Sequence, residues 1–155
     1  MTLEKGDVAE DFELLGNDGR PVTLSSFKGS KNVVLCFYPK NHLFACPSKK
    51  VFEMAKSVIS VYSDIISTTT VLFAISVDSV DSQAEFVKEY EIPYLHLSDP
   101  KKIACKKYAG TNIAGLAKRS TFVIGIDGVI RDVMREINVT SHGQEILDSL
   151  NKINV

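Results

Sequence analysis

A cysteine followed at once by a proline, Cys46-Pro47, stands seven residues beyond Pro39, where an apolar run closes at Tyr38-Pro39. The run, Val33 to Phe37, is short and rich in β-forming side chains. It is continuous rather than alternating, which predicts a strand buried on both faces. Proline cannot donate to a sheet ladder, so the strand ends at Tyr38-Pro39. After the loop Lys40–Ala45 the pattern turns helical, and proline is favoured at the first helical position. Cys46 is therefore expected at a helix N-terminus, at the C-terminal edge of a central strand, where open α/β sheets hold their chemistry. A helix N-terminus offers free N–H groups and about half a positive charge. Both favour a thiolate, the nucleophilic form of cysteine. Lys49 and Lys50 add positive charge nearby. The alternative for Cys46 is a small buried hydrophobe.

Two more cysteines, Cys36 and Cys105, complete the set. An odd, small number in a chain without a secretion signal points to thiols rather than a disulfide framework. Cys36 falls inside the apolar run and reads as inert core. Cys36, His42 and Cys46 do not make a metal site by spacing: His42 lies out in the loop and no fourth ligand is near. No metal and no cofactor are expected.

The elements that must position Cys46 follow from the rest of the chain. Phe12–Leu15 and Pro21–Leu24 read as strands of an N-terminal hairpin around Asn17-Asp18-Gly19. Ser25–Gly29 reads as a short helical turn closed by glycine. Beyond Cys46, apolar residues at Val51, Ala55, Val58, Tyr62 and Ile65, with Phe52, Ile59 and Ile66 beside them, predict a helix with a broad buried face. Val71–Val77 is a second buried strand. Asp78 or Ser79 caps a helix over Val80–Tyr90. Tyr94–Leu97 is a short strand, and Ser98-Asp99-Pro100 opens a helix carrying Cys105. Thr121–Ile126 and Val129–Arg135 flank the two-residue hairpin signal Asp127-Gly128. Ser141–Ile153 is a final helix. This order predicts one α/β domain over residues 1–155, a central sheet flanked by helices.

Composition excludes several classes. Lys plus Arg is 18 and Asp plus Glu is 19, a net charge of −1. That balance gives no electrostatic reason for nucleic acid or an anionic membrane as partner. Apolar residues make 45% and charged residues 24% of 155, ordinary for a soluble globular domain. No apolar stretch approaches the length of a membrane span. Met1–Glu10 carries three acidic residues and no apolar run, so no signal peptide is read and a cytoplasmic location is expected.

Six blocks then carry a resemblance: G-D-V-A-E-D-F-E-L from Gly6, F-Y-P-K ahead of Cys46, F-A-I-S-V-D-S, L-H-L-S-D-P, R-S-T-F-V-I and I-D-G-V-I. In this order and spacing, the chain resembles a peroxiredoxin of the bacterioferritin-comigratory (Q-type) subfamily. The resemblance implies a thioredoxin-like fold and a thiol-dependent peroxidase acting on hydrogen peroxide or organic hydroperoxides. It implies thioredoxin or another thiol as reductant, and a monomer or weak homodimer. It matches the family's peroxidatic cysteine to Cys46, its active-site proline to Pro39 and its catalytic arginine to Arg119. Guanidinium is a permanent cation with several donors, able to favour the thiolate and hold peroxide oxygens. The remaining cysteine available as an internal resolving partner is Cys105.

The loop departs from the family pattern. Leu43 stands where the family has threonine or serine, Phe44-Ala45 where it has Pro-Gly, Pro47 for threonine and Lys49 for glutamate. Val51 stands where many members carry a second cysteine, and Glu10 replaces the proline of A-P-D-F. Two classes of function follow. One is the peroxidase; the other is a catalytically impaired redox sensor or binding module on the same fold, because Leu43 offers no hydroxyl. A thioredoxin-type disulfide reductase is set aside, since Cys46-Pro47-Ser48-Lys49 lacks the second cysteine of C-x-x-C.

Overall fold

A computed structural model describes residues 2–41 and 49–153. Cys46, His42, Leu43, Phe44, Ala45 and Pro47, and with them the expected helix start at Cys46-Pro47, lie outside the described residues.

The strand predicted over Val33–Phe37 is β3, Asn32–Phe37, and all six of its residues are buried. It pairs in parallel with β4, Thr70–Ser76, and antiparallel with β6, Ser120–Ile124. Pairing on both edges and burial on both faces explain its unbroken apolar run. Around it a seven-stranded mixed sheet is ordered β2-β1-β5-β4-β3-β6-β7. Here β1 is Glu13–Gly16, β2 Pro21–Thr23, β5 His96–Ser98 and β7 Ile130–Met134. The N-terminal hairpin forms as expected, with Glu13 opposite Thr23 and Leu15 opposite Pro21.

One face of the sheet carries α1, Lys49–Ile66, α2, Val80–Glu89, and α3, His142–Ile153. Their apolar stripes close over Val34, Cys36, Leu72, Ala74 and Val123. In α1 the buried residues are Val51, Met54, Ala55, Val58 and Ile65, the expected helical spacing with a narrower face, for Ile66 is 45% exposed. The capping choice in α2 falls on Ser79, whose side chain accepts from the Ser82 N–H. The opposite face is built from Leu35, Phe37, Phe73, Ile75, Phe122 and the short helical turns Leu24–Phe27 and Cys105–Ala109. Phe37 sits between Tyr108 and Phe122, stacked on the first and edge-on to the second.

Three boundaries differ from expectation. Ser98 closes β5 instead of opening a helix, and the helical turn that carries Cys105 begins only at Ile103. The strand read at Tyr94–Leu97 pairs only from His96, opposite Ala74. Pro93 lies just upstream with no N–H to give, and Tyr94 is spent on packing, stacked on the His96 ring. The hairpin between β6 and β7 is longer than the two residues Asp127-Gly128. Gly128 N–H donates to the Gly125 carbonyl, and Gly125 N–H to that of Val129, each at 2.9 Å. Gly128 takes φ +82°, so a β-turn followed by a left-handed residue replaces the tight turn.

Phe37 packs at the centre of one core with no accessible surface. Phe37→Ala is expected to cost about 3–5 kcal/mol. Urea unfolding should show a lower midpoint with an unchanged slope.

Candidate active site

The antiparallel register of β3 and β6 sets Phe37 opposite Ser120. The end of β3 and the start of β6 therefore share one edge of the sheet. Tyr38 and Pro39 leave β3 there, and Arg119 enters β6 beside them. Arg119 is half-buried, and its Nη1 donates to Met54 Sδ at 3.1 Å, one turn into α1. Burial lowers the pKa of Arg119, opposed by the neighbouring Tyr38; guanidinium stays a cation regardless. A narrow cleft between α1 and the sheet is lined by Cys36, Tyr38, Val51, Met54, His96 and Arg119.

Thus the structure brings Arg119 and Pro39 to the edge from which the chain runs through residue 46 into α1. Cys105 lies elsewhere. It is fully buried in the core on the sheet face opposite α1. Burial pushes its thiol well up, and the adjacent Asp99 carboxylate pushes the same way. Cys36 is also buried, and its thiol is pushed up to about 12 by desolvation, against a hydrogen bond with Thr121. Both are protonated thiols at neutral pH. Among the described residues no group of His, Cys, Asp and Glu could hold a metal ion.

A buried polar cluster stands behind this edge; Tyr38, Ser76, Asp78 and His96 fall in the blocks noted in the sequence, while Asn41, Ser82 and Gln83 fall in none. The Tyr38 hydroxyl lies 2.5 Å from Asn41 Oδ1, 2.9 Å from Gln83 Oε1 and 2.9 Å from His96 Nδ1. Asn41 Nδ2 donates to Ser82 Oγ and Gln83 Oε1. Gln83 Nε2 donates to Ser76 Oγ and the Leu97 carbonyl. The Asn41 N–H donates to Asp78 Oδ2 at 2.9 Å, which Ser76 Oγ also reaches. Tyr38 has one proton, shared between the Asn41 and Gln83 oxygens, and a His96 that carries its proton on Nδ1 donates to the Tyr38 oxygen without competing for it. The His96 Nε2 is buried and has no partner among the described residues. Asp78 therefore holds the last described backbone N–H before residue 42. The available signal is polarity out of pattern. Gln83 stands on the apolar stripe of α2, between Val80 and Phe86, and His96 stands inside a buried strand.

The AhpC/TSA family model matches residues 5–133. The chain belongs to the AhpC/TSA family. It is 32% identical to peroxiredoxin Bcp of Bacillus subtilis, over 97% of this chain and 96% of that one. Against the putative peroxiredoxin bcp of Coxiella burnetii it is 31% identical, over 97% and 100%. It superposes on peroxidoxin BcpB of Mycobacterium tuberculosis with TM-score 0.85 at 28% identity, covering 97% of this chain and 98% of that one. With a cysteine-to-serine mutant of Xylella fastidiosa PrxQ the TM-score is 0.89 at 22% identity, covering 100% and 99%, a likeness of fold. The mixed sheet and helices are those of a thioredoxin-like peroxiredoxin, and the chain is a peroxiredoxin-type thiol peroxidase of the Bcp group. The blocks noted in the sequence supply the frame of this edge: F-Y-P-K ends β3, F-A-I-S-V-D-S ends β4 at Ser76 and continues to Asp78, and R-S-T-F-V-I leads through Arg119 into β6 at Ser120.

Burial holds His96 neutral, lowering its pKa from 6.5 to about 3. Between these values the unfolded chain binds a proton that the folded chain refuses, so stability falls as pH falls through that window. His96→Asn keeps a donor toward Tyr38 and cannot titrate. Urea unfolding between about pH 4 and 6 should then show a pH slope smaller by about 1.4 kcal/mol per unit. An unchanged slope would mean that His96 takes its proton in the folded protein.

Proposed function

We propose that Cys46 is the peroxidatic cysteine, that Arg119 and Pro39 shape its site, and that the substrate is hydrogen peroxide or an organic hydroperoxide. The observation that carries this reading is the position of Arg119. A half-buried cation stands at the sheet edge between Pro39 and the first turns of α1, the two elements that flank Cys46 in the chain.

In the reaction, the Cys46 thiolate attacks one oxygen of the O–O bond, which breaks. The departing alkoxide or hydroxide takes a proton and leaves as alcohol or water, and Cys46 becomes a sulfenic acid. A guanidinium at this edge favours the thiolate and the charge developing on the leaving oxygen. Pro39, with no N–H and a fixed φ, turns the chain out of β3 without spending a ladder donor.

Reduction of the sulfenic acid is assigned to an external thiol such as thioredoxin. A first thiol condenses with it, releasing water and leaving a mixed disulfide. A second thiol then displaces Cys46 as thiol, and the two reductant sulfurs end as a disulfide. The burial of Cys105 on the far face supports this route. Pairing Cys46 with Cys105 would require Cα atoms within about 7 Å, and so departure of Cys105 from its core. After one equivalent of peroxide, dimedone labelling of Cys46 with free Cys105 is the result expected; a Cys46–Cys105 cross-link would overturn it.

A second reading, an impaired redox sensor or binding module, rests on Leu43-Phe44-Ala45. Consumption of hydrogen peroxide and of an organic hydroperoxide, with Cys46→Ser as control, separates the two. The peroxidase reading requires turnover that disappears in Cys46→Ser. It also requires a midpoint of iodoacetamide alkylation below about 8.5, the value of a free thiol.

If the missing hydroxyl limits the rate, Leu43→Thr is expected to raise the second-order rate with peroxide at least about tenfold, the low side of a lost active-site donor. An unchanged rate in a folded variant would place the limit elsewhere in the loop.

A further inference from the structure

A second buried polar chain lies two residues along from Arg119, where β6 faces the helices. Thr121 and His142 have no accessible surface. Thr121 Oγ1 lies 2.7 Å from His142 Nε2, and His142 Nδ1 lies 3.2 Å from Glu145 Oε1. Thr121 also stands opposite Cys36, its cross-strand partner on β3. The Glu145 carboxylate can only accept, and this sets the proton positions of a neutral His142. His142 Nδ1–H donates to the Glu145 carboxylate. Its Nε2 lone pair accepts from the Thr121 hydroxyl. Desolvation, outweighing the pull of Glu145 and joined by the nearby Arg119 charge, keeps His142 neutral.

His142 opens α3 at the point where that helix meets α1. The Gly143 N–H donates to Ser57 Oγ at 2.9 Å. A Cβ at residue 143 would stand 2.3 Å from the Ser57 carbonyl oxygen, so only glycine lets the helices approach so closely. Three contacts converge here. His142 ties α3 to β6 through Thr121, and Gly143 ties α3 to α1 at Ser57. Met54, one turn before Ser57, receives the Arg119 guanidinium.

We propose that His142 is a positioning residue for Arg119: its bond to Thr121 fixes the start of β6 against α1 and so sets where the guanidinium meets the reacting oxygens. The proposal rests on the assignment of Cys46 and Arg119 made above. His142 touches neither peroxide nor thiolate. It acts because catalytic geometry tolerates little displacement; a shift of about 1 Å can cost about a hundredfold. The Thr121–His142 bond is buried, so losing one partner leaves the other orphaned.

The test compares His142→Leu, which removes the acceptor, with His142→Gln, whose amide oxygen can reach the Nε2 position. Thr121→Val removes the same bond from the strand side with little change of shape, and serves if His142→Leu does not fold. The rate of Cys46 oxidation is read by competition with horseradish peroxidase for hydrogen peroxide. Iodoacetamide alkylation is read at a pH where the thiolate is fully formed. His142→Leu and Thr121→Val are expected to lower the peroxide rate by about ten- to a hundredfold. Alkylation at that pH should change less than about twofold, since it needs the thiolate but no oriented guanidinium. His142→Gln should recover most of the rate. A merely structural bond would lower the unfolding midpoint of the leucine and valine variants and leave the rate of the folded protein untouched; that result, or a glutamine variant as slow as leucine, overturns the proposal. Failure of the underlying assignment is distinct: wild type and Cys46→Ser would then consume peroxide equally.

Discussion

The desolvation of β3 governs this molecule. Its six residues are buried and hydrogen-bonded on both edges, so neither its register nor its direction can slip without stranding backbone groups away from water. Pairing with β6 in antiparallel register puts the strand's C-terminal end beside Arg119, and pairing with β4 in parallel puts it beside Ser76 and Asp78. A cation and a buried carboxylate are thus delivered to one sheet edge by backbone pairing alone.

The polar groups at that edge are expensive to bury unless satisfied. Tyr38, Asn41, Ser76, Asp78 and Gln83 meet the demand among themselves, with His96 contributing one nitrogen and leaving the other unpartnered among the described residues. Such a network specifies one arrangement, because every alternative leaves several donors or acceptors unpaired. This frame is where the chain keeps the blocks that resemble its relatives. The departures concentrate between Leu43 and Lys49. A peroxidase needs both parts: the frame that holds a cation beside the thiolate, and a loop that offers donors to the peroxide. Here the chain combines that frame with a segment in which Leu43 carries an isobutyl side chain and no hydroxyl.

The two sheet faces divide the cysteines as well. Cys36 points to the helical face and Cys105 to the other. Alternation along a strand assigns Cys36 to a face only once its neighbours' faces are known. The placement of Cys105 depends on a short turn that crosses under the sheet and packs Tyr108 against Phe37. Nothing local in the stretch around Cys105 distinguishes the two faces.

Local chemistry by itself determined much of the fold. The unbroken apolar run of β3, the helical spacing from Val51, the cap at Asp78 or Ser79, the Asn17-Asp18-Gly19 turn and the strand–helix alternation are all short-range signals, and each names its element within a residue or two. The β5 boundary and the β6–β7 turn depart from the local signal where a short-range rule meets a tertiary demand, Tyr94 being spent on packing and Gly128 on a left-handed turn. Motif order pointed to Arg119 and Pro39 as site residues. Only the tertiary structure decided the partners of the buried polar residues: Gln83 with Tyr38 across 45 positions, Asn41 with Asp78 across 37, and Thr121 with His142 across 21. The reason is physical. A hydrogen bond inside a protein is specified by the geometry of two elements that fold together, and a sequence records only that each residue is polar.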